Sequence, residues 1–135
     1  MPRLSARLER WPLAAAFVIS RGSKNEAEVV VAEIADGAHR GRGEAVPYAR
    51  YGETVGGVVD AIRSLSSRLA GGDLDRRSLQ SALPAGAARN ALDCAFWDLE
   101  AKRTVRRAAD LAGLPPPGPV ETAFTISLAA PGDMA

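Results

Sequence analysis

Two stretches carry residues whose types and spacing suit the binding of a charged ligand. Arg21 and Lys24 lie in a polar, glycine-containing segment, Ser20-Arg21-Gly22-Ser23-Lys24-Asn25. Val46-Pro47-Tyr48-Ala49-Arg50-Tyr51-Gly52-Glu53 combines aromatic and charged groups. Cations beside aromatic rings form a lip for a carboxylate-bearing ligand, because charge-assisted hydrogen bonds hold the anion while the rings shape its surroundings. Exposed connections gather the same residue types, so plain solvent-facing loops are the competing reading.

Other reactive side chains are less suggestive. His39 is the only histidine, which rules out a His-based triad or a His-rich metal site built from this chain, and it reads as a solvated hairpin residue. Cys94 stands beside an apolar helical stripe with no basic neighbour within a turn, so it reads as core rather than as a reactive thiol. Asp93, Asp98 and Glu100 are spaced around a helix rather than along one face, which favours surface or interdomain pairing over a metal or acid/base set. Gly41-Arg42-Gly43-Glu44 lacks the third glycine and the helix start that a phosphate loop needs, and reads as a strand bulge or turn. Lys102, Arg103, Arg106 and Arg107 complement a helix C-terminus; no aromatic residue interleaves with them as in an anion-binding patch.

Composition sets the outer limits. The 135 residues are 47% hydrophobic, enough for one modest domain and a tail. With 17 basic and 16 acidic residues the net charge is +1, so no bulk field recruits nucleic acid or anionic lipid, and neither a nucleic-acid nor a membrane partner is expected. A single cysteine fits a reducing compartment, the cytoplasm. Arg3, Arg7 and Arg10 ahead of the apolar run Trp11 to Ile19 copy the layout of a signal peptide, but Glu9 and Pro12 interrupt it and strands follow. Nothing approaches the roughly 20 apolar residues of a membrane span.

The elements that must position these groups follow from periodicity. Residues 4 to 46 read as three short strands, with Leu13 to Ser20, Glu28 to Ile34 and Ala38 to Glu44 as their centres. Asp36-Gly37 is a hairpin signal, so an antiparallel meander is expected. From Thr54, a helix N-cap, Val55, Val58, Val59, Ile62, Leu65 and Leu69 share one helical face, and Gly71-Gly72 stops it. A short helix is expected over Asp73 to Leu83. A longer one over Ala87 to Lys102 buries Ala88, Ala91, Leu92, Ala95, Phe96 and Leu99, and Arg103 to Leu111 extends it or adds another. Leu114-Pro115-Pro116-Pro117-Gly118-Pro119 is a stiff linker. Val120 to Leu128 beyond it reads as a strand opening a second domain.

Four strings in register carry a resemblance. GRGEAVPYARYGET at 41 to 54, SRGSK at 20 to 24, ARNALDCAFWDLEAK at 88 to 102 and TAFTISL at 122 to 128 resemble the dipeptide epimerases of the enolase superfamily, the mandelate racemase/muconate lactonizing enzyme-like group. The first half of the first string and the third are shared across the superfamily; PYARYGET and SRGSK point to the epimerase branch. The resemblance implies an α+β capping domain, with a three-stranded antiparallel meander and a helical bundle over residues 1 to 114. The linker would be 115 to 119, and 120 to 135 would hold the first strand of a truncated (β/α) barrel. Such a barrel needs on the order of 200 residues or more.

The family's reaction removes an α-proton beside a carboxylate, with Mg²⁺ stabilising the enediolate and two opposed lysines as base and acid. The resemblance places those lysines and the metal ligands on later barrel strands. Lys24 and Lys102, the only lysines here, both lie in the cap, so no catalytic residue and no Mg²⁺ ligand is expected in this chain. What carries over is contact with a dipeptide substrate. Arg21 matches the arginine that pairs with an acidic side chain, as in Ala-Glu, and Thr125 matches a first-strand threonine that hydrogen-bonds substrate. Tyr48 and Tyr51 would shape the pocket. Thr125 as a core-facing strand residue is the competing reading.

Gly56-Gly57 weakens the first helix, and Val105 stands where a family member turns with glycine. The fragment would be inactive alone and part of an isomerase when complete, with a homo-oligomer left open. Another superfamily branch, muconate-cycloisomerase-like or succinylbenzoate-synthase-like, and a free-standing binding module remain alternatives.

Overall fold

The computed structural model describes residues 1–19, 22–124, 126 and 128–134. Its sheet has three antiparallel strands in the order β1 (Arg3–Ile19), β2 (Gly22–Asp36) and β3 (His39–Ala45). The meander is as expected, but its β2–β3 hairpin turns at Gly37-Ala38, one residue past the expected Asp36-Gly37 pair: Asp36 ends β2 opposite His39, and Gly37 takes φ 58°. β1 is much longer than the Leu13–Ser20 run, because Leu4, Ala6 and Leu8 alternate inward and pair with Ile34, Ala32 and Val30. β3 pairs with β2 only from Val30 to Asp36, so the far ends of β1 and β2 project as a two-stranded ribbon. Across Pro12 and Phe17 the register slips, from Pro12 opposite Glu26 to Phe17 opposite Lys24, leaving Leu13 to Ala16 against Asn25. Pro12 has no N–H for the ladder, which suits it to such an irregularity.

One face of β2 feeds the core. Val30, Ala32 and Ile34 are fully buried against the helices, with Ile62, Leu79 and Leu92 as their largest partners. On the other face Val29 and Val31 are also buried, amid charged pairs: Glu9 pairs with Arg7 at 2.7 Å and Arg42 at 2.8 Å, and Glu33 pairs with Arg40 at 2.7 Å.

The single helix expected from Thr54 is two, α1 (Val55–Arg63) and α2 (Ser66–Gly71). Thr54 Oγ1 does cap α1, accepting the Gly57 N–H at 3.1 Å. The break follows from Ser64 and Ser66, whose hydroxyls bond the Ala61 and Arg63 carbonyls at 2.8 and 2.7 Å in competition with the helix ladder. Of the Asp73–Leu83 helix only α3 (Leu79–Ala82) forms, because Asp75 and Ser78 lock a turn ahead of it through reciprocal bonds of 2.9 and 2.7 Å.

α4 (Ala87–Thr104) buries Ala91, Leu92, Ala95 and Leu99 as expected, with Ala88 and Phe96 partly buried on the same cluster. It ends at Val105 in the left-handed region, φ 53°, and α5 (Ala108–Leu111) follows as a separate helix. Cys94 is exposed rather than core, since it falls one position outside the buried stripe.

Gly41 and Gly43 form neither a bulge nor a turn. Both are buried beneath α4, where a Cβ at Gly41 would stand 2.6 Å from Leu99 Cβ and one at Gly43 2.7 Å from Cys94 Cβ. The two glycines let strand and helix backbones meet. α4 also covers the free edge of β3. Asp98 Oδ2 accepts the Arg42 N–H at 2.8 Å, and Lys102 Nζ donates to the Arg40 carbonyl at 2.9 Å.

Beyond Gly113 the described residues form no strand, and Val120, Phe124, Ile126 and Leu128 are exposed. Within the segment expected as a strand, the described Leu128 N–H donates to the Val18 carbonyl of the ribbon at 2.8 Å. No helix among the described residues is long and apolar enough to cross a membrane.

Candidate functional site

The second loop is built around one tight turn. Tyr51 N–H reaches the Tyr48 carbonyl at 2.9 Å and Gly52 N–H the Ala49 carbonyl at 3.0 Å, with Gly52 at φ 75° letting the chain turn away. This turn stacks the two sequence-predicted tyrosines edge to face, ring centres 5.6 Å apart at 62°. Both rings remain open to a ligand: Tyr48 is 41% and Tyr51 76% exposed.

Glu53 holds the turn in place. Its Oε2 accepts the Tyr48 N–H at 3.0 Å, and its Oε1 accepts the Ala87 N–H at 2.6 Å at the start of α4. The Ala87 N–H first, and the Tyr48 N–H second, stabilise the carboxylate and pull its pKa below the ordinary 4.5 against slight desolvation. Sequence reasoning gave Glu53 no role of its own. The signal lay elsewhere: α4 begins Gly86-Ala87-Ala88, with no capping side chain, so its first N–H groups need a borrowed acceptor.

Between this loop, the start of α1 and the Leu83–Asn90 segment lies an open cleft of about 820 Å³, with Val58 and Leu83 in its apolar floor. A second cleft, about 560 Å³, runs between the 72–77 segment after α2 and the C-terminal half of α4. There Arg76 lies over the Trp97 ring at 3.5 Å and beside Glu100 at 3.4 Å, so its charge serves packing.

The structure thus brings Tyr48 and Tyr51 together. Arg21 and Thr125 lie outside the described residues. Lys24, across the ribbon from Phe17, is exposed. Asp98, read from sequence as helix surface or interdomain pairing, instead bonds the β3 edge and Lys102. Asp93 accepts a hydrogen bond from Gln80 at 3.0 Å. No group of three or more His, Cys, Asp or Glu among the described residues could hold a metal ion, so the described side chains do not fit a Mg²⁺ site.

A three-stranded meander whose free edge is sealed by a long helix, with a projecting ribbon and an aromatic loop, defines a capping domain of the enolase type. Residues 3–113 match the family described as "Mandelate racemase / muconate lactonizing enzyme, N-terminal domain", and the chain belongs to that family. It is 50% identical over 127 residues to the L-Ala-D/L-Glu epimerase of Escherichia coli (strain K12), covering 94% of this chain and 39% of that protein. It superposes with a TM-score of 0.92 on an enolase family member from Agrobacterium tumefaciens with homology to dipeptide epimerases, solved with bound sodium and L-Ala-L-Glu. That likeness has 48% identity and covers 99% of this chain and 41% of that one. A more distant dipeptide epimerase, from Methylococcus capsulatus, was solved with Mg and L-Arg-D-Lys; it is 32% identical, with a TM-score of 0.62, over 82% of this chain and 34% of its own. The chain is the N-terminal capping part of the fold these relatives share, and spans about two fifths of the length of the first two.

Proposed function

We propose that this chain is the substrate cap of a Mg²⁺-dependent epimerase acting on dipeptides with an acidic residue, of the L-Ala-D/L-Glu type. The observation that carries the proposal is the likeness, over 99% of the chain, to a relative solved with L-Ala-L-Glu. The cap spans residues 1 to 114, residues 115 to 119 link it to a barrel, and 120 to 135 supply that barrel's first strand. Proton transfer and metal binding belong to the barrel.

The cap's own part is recognition. Arg21 pairs with the acidic side chain of the dipeptide, and Thr125 hydrogen-bonds the substrate. Tyr48 and Tyr51 wall the other side; their shared turn and their exposure support this role. The Leu128–Val18 bond supports a first barrel strand that runs close to the ribbon. The protein works in the cytoplasm, as its lone cysteine favours.

The complete protein, incubated with L-Ala-L-Glu and Mg²⁺ in D₂O, should exchange the α-proton of the glutamate residue and accumulate the diastereomer, both read by proton NMR. Arg21→Ala should raise KM for acidic dipeptides by about tenfold or more, the worth of one charged hydrogen bond, and leave KM for neutral ones unchanged. Absence of exchange with every acidic dipeptide would sink the proposal.

A further inference from the structure

We propose that Glu53 is a positioning residue for this reaction, clamping the tyrosine loop of residues 47 to 52 to the start of α4. The inference rests on the reading of that loop as one wall of the substrate site.

Each carboxylate oxygen serves a different element. Oε2 takes the Tyr48 N–H at 3.0 Å and Oε1 the Ala87 N–H at 2.6 Å, joining parts of the chain 34 residues apart. Neither end has a substitute of its own. The turn at Ala49–Tyr51 has no side-chain cap, and neither does α4, whose N-cap is Gly86. Gly86 also makes the room: with φ 154°, a Cβ there would stand 2.7 Å from Glu53 Oε1. The next residue, Thr54, caps α1 at the same time. Two consecutive side chains therefore pin the root of the loop to two helices.

The geometry explains why a carboxylate is needed. Two backbone N–H groups from different elements each bind a separate oxygen, so both oxygens must accept, and one N–H belongs to a helix start where negative charge is favoured. Glutamine offers one acceptor and turns an NH₂ toward the other amide. Aspartate is one methylene too short to span both. In either case the loop loses its tether to α4, and with it the placement of the Tyr48 and Tyr51 rings, which otherwise contact each other at the surface.

The test uses the complete protein with Glu53→Gln and Glu53→Asp, L-Ala-L-Glu as substrate, and amide hydrogen exchange over residues 47 to 53 and 86 to 90. Both variants should raise KM about tenfold, the value of one lost charged hydrogen bond, with kcat within about twofold, and should speed exchange in those two segments well beyond any change in the rest of the cap. A folded variant with unchanged KM overturns the inference. So does exchange that quickens as much in the rest of the cap as in those two segments, which would mark Glu53 as a general stabiliser. Should neither variant fold, Gly86→Ala, which pushes the same carboxylate aside, is read by the same two measurements and the same criteria. A wild-type protein that turns over no acidic dipeptide defeats the proposed function, and this inference with it; an active wild type with indifferent variants defeats only the inference.

Discussion

The Asp98 carboxylate accepts the backbone N–H of Arg42 at 2.8 Å, so that a side chain from the middle of α4 closes the open edge of β3. The same oxygen binds Lys102 Nζ at 2.7 Å, and Lys102 in turn reaches the Arg40 carbonyl at 2.9 Å. A helix and a strand edge are thereby joined at two successive backbone groups of the strand, which blunts a surface otherwise prepared to pair with another chain.

Asp98→Ala should destabilise the cap by about 1–2 kcal/mol, because it leaves the Arg42 N–H without its acceptor. Lys102 is half exposed, so loss of its ion pair adds little. Urea midpoints of the two proteins measure the difference. Lys102→Ala should cost clearly less than Asp98→Ala, and equal losses would show that the ion pair, rather than the backbone bond, holds the edge.

Gly43→Ala should be far more damaging than its size suggests. The new Cβ would meet Ala95 N and Cys94 Cβ at 2.7 Å, and helix backbone cannot yield as a flexible side chain can. Overpacking of this kind costs about 3 kcal/mol or more. Gly56→Ala, where nothing lies within 4 Å, should be neutral or stabilising in the same urea titration.

Val105→Gly should stabilise the protein by about 1 kcal/mol, since a β-branched residue is held at φ 53° where glycine carries no steric cost. Val105 is 92% exposed, so almost no burial is given up. A calorimetric Tm that stays level or falls would mean that the left-handed turn is not where α4 ends in solution.

Glu53 contributes in a defined pH range. Its folded pKa lies below the ordinary 4.5, chiefly through the Ala87 N–H and then the Tyr48 N–H. Unfolding therefore takes up a proton, and the stabilisation is complete above the unfolded value and lost as pH falls through the lower folded one. The stability gap between wild type and Glu53→Gln should be constant at neutral pH and narrow below about pH 4.5. Urea midpoints taken down the acid limb test this, and a gap that widens in acid would contradict it.

Much of the fold was legible because it is written locally. Asp36-Gly37 announced a hairpin, Thr54 a helix start, and the stripe through Ala91, Leu92, Ala95 and Leu99 a buried helix face. Propensity failed where short polar side chains compete with the backbone, as at Ser64 and Ser66, which split one expected helix into two. It failed again at Cys94, one position off the buried stripe and therefore exposed.

At the candidate site the division is equally physical. The residue types in Val46 to Glu53 were enough to mark an aromatic, charged loop, and the sequence alone supplied both tyrosines. Only packing determined that they meet at 5.6 Å, that Glu53 reaches Ala87 across 34 residues, and that Gly41 and Gly43 lie under α4. Periodicity records which face of an element is apolar and which residue favours a turn. It carries no record of which distant backbone amide will lack a partner once those faces close together, and that unmet amide is what gave Glu53 and Asp98 their places.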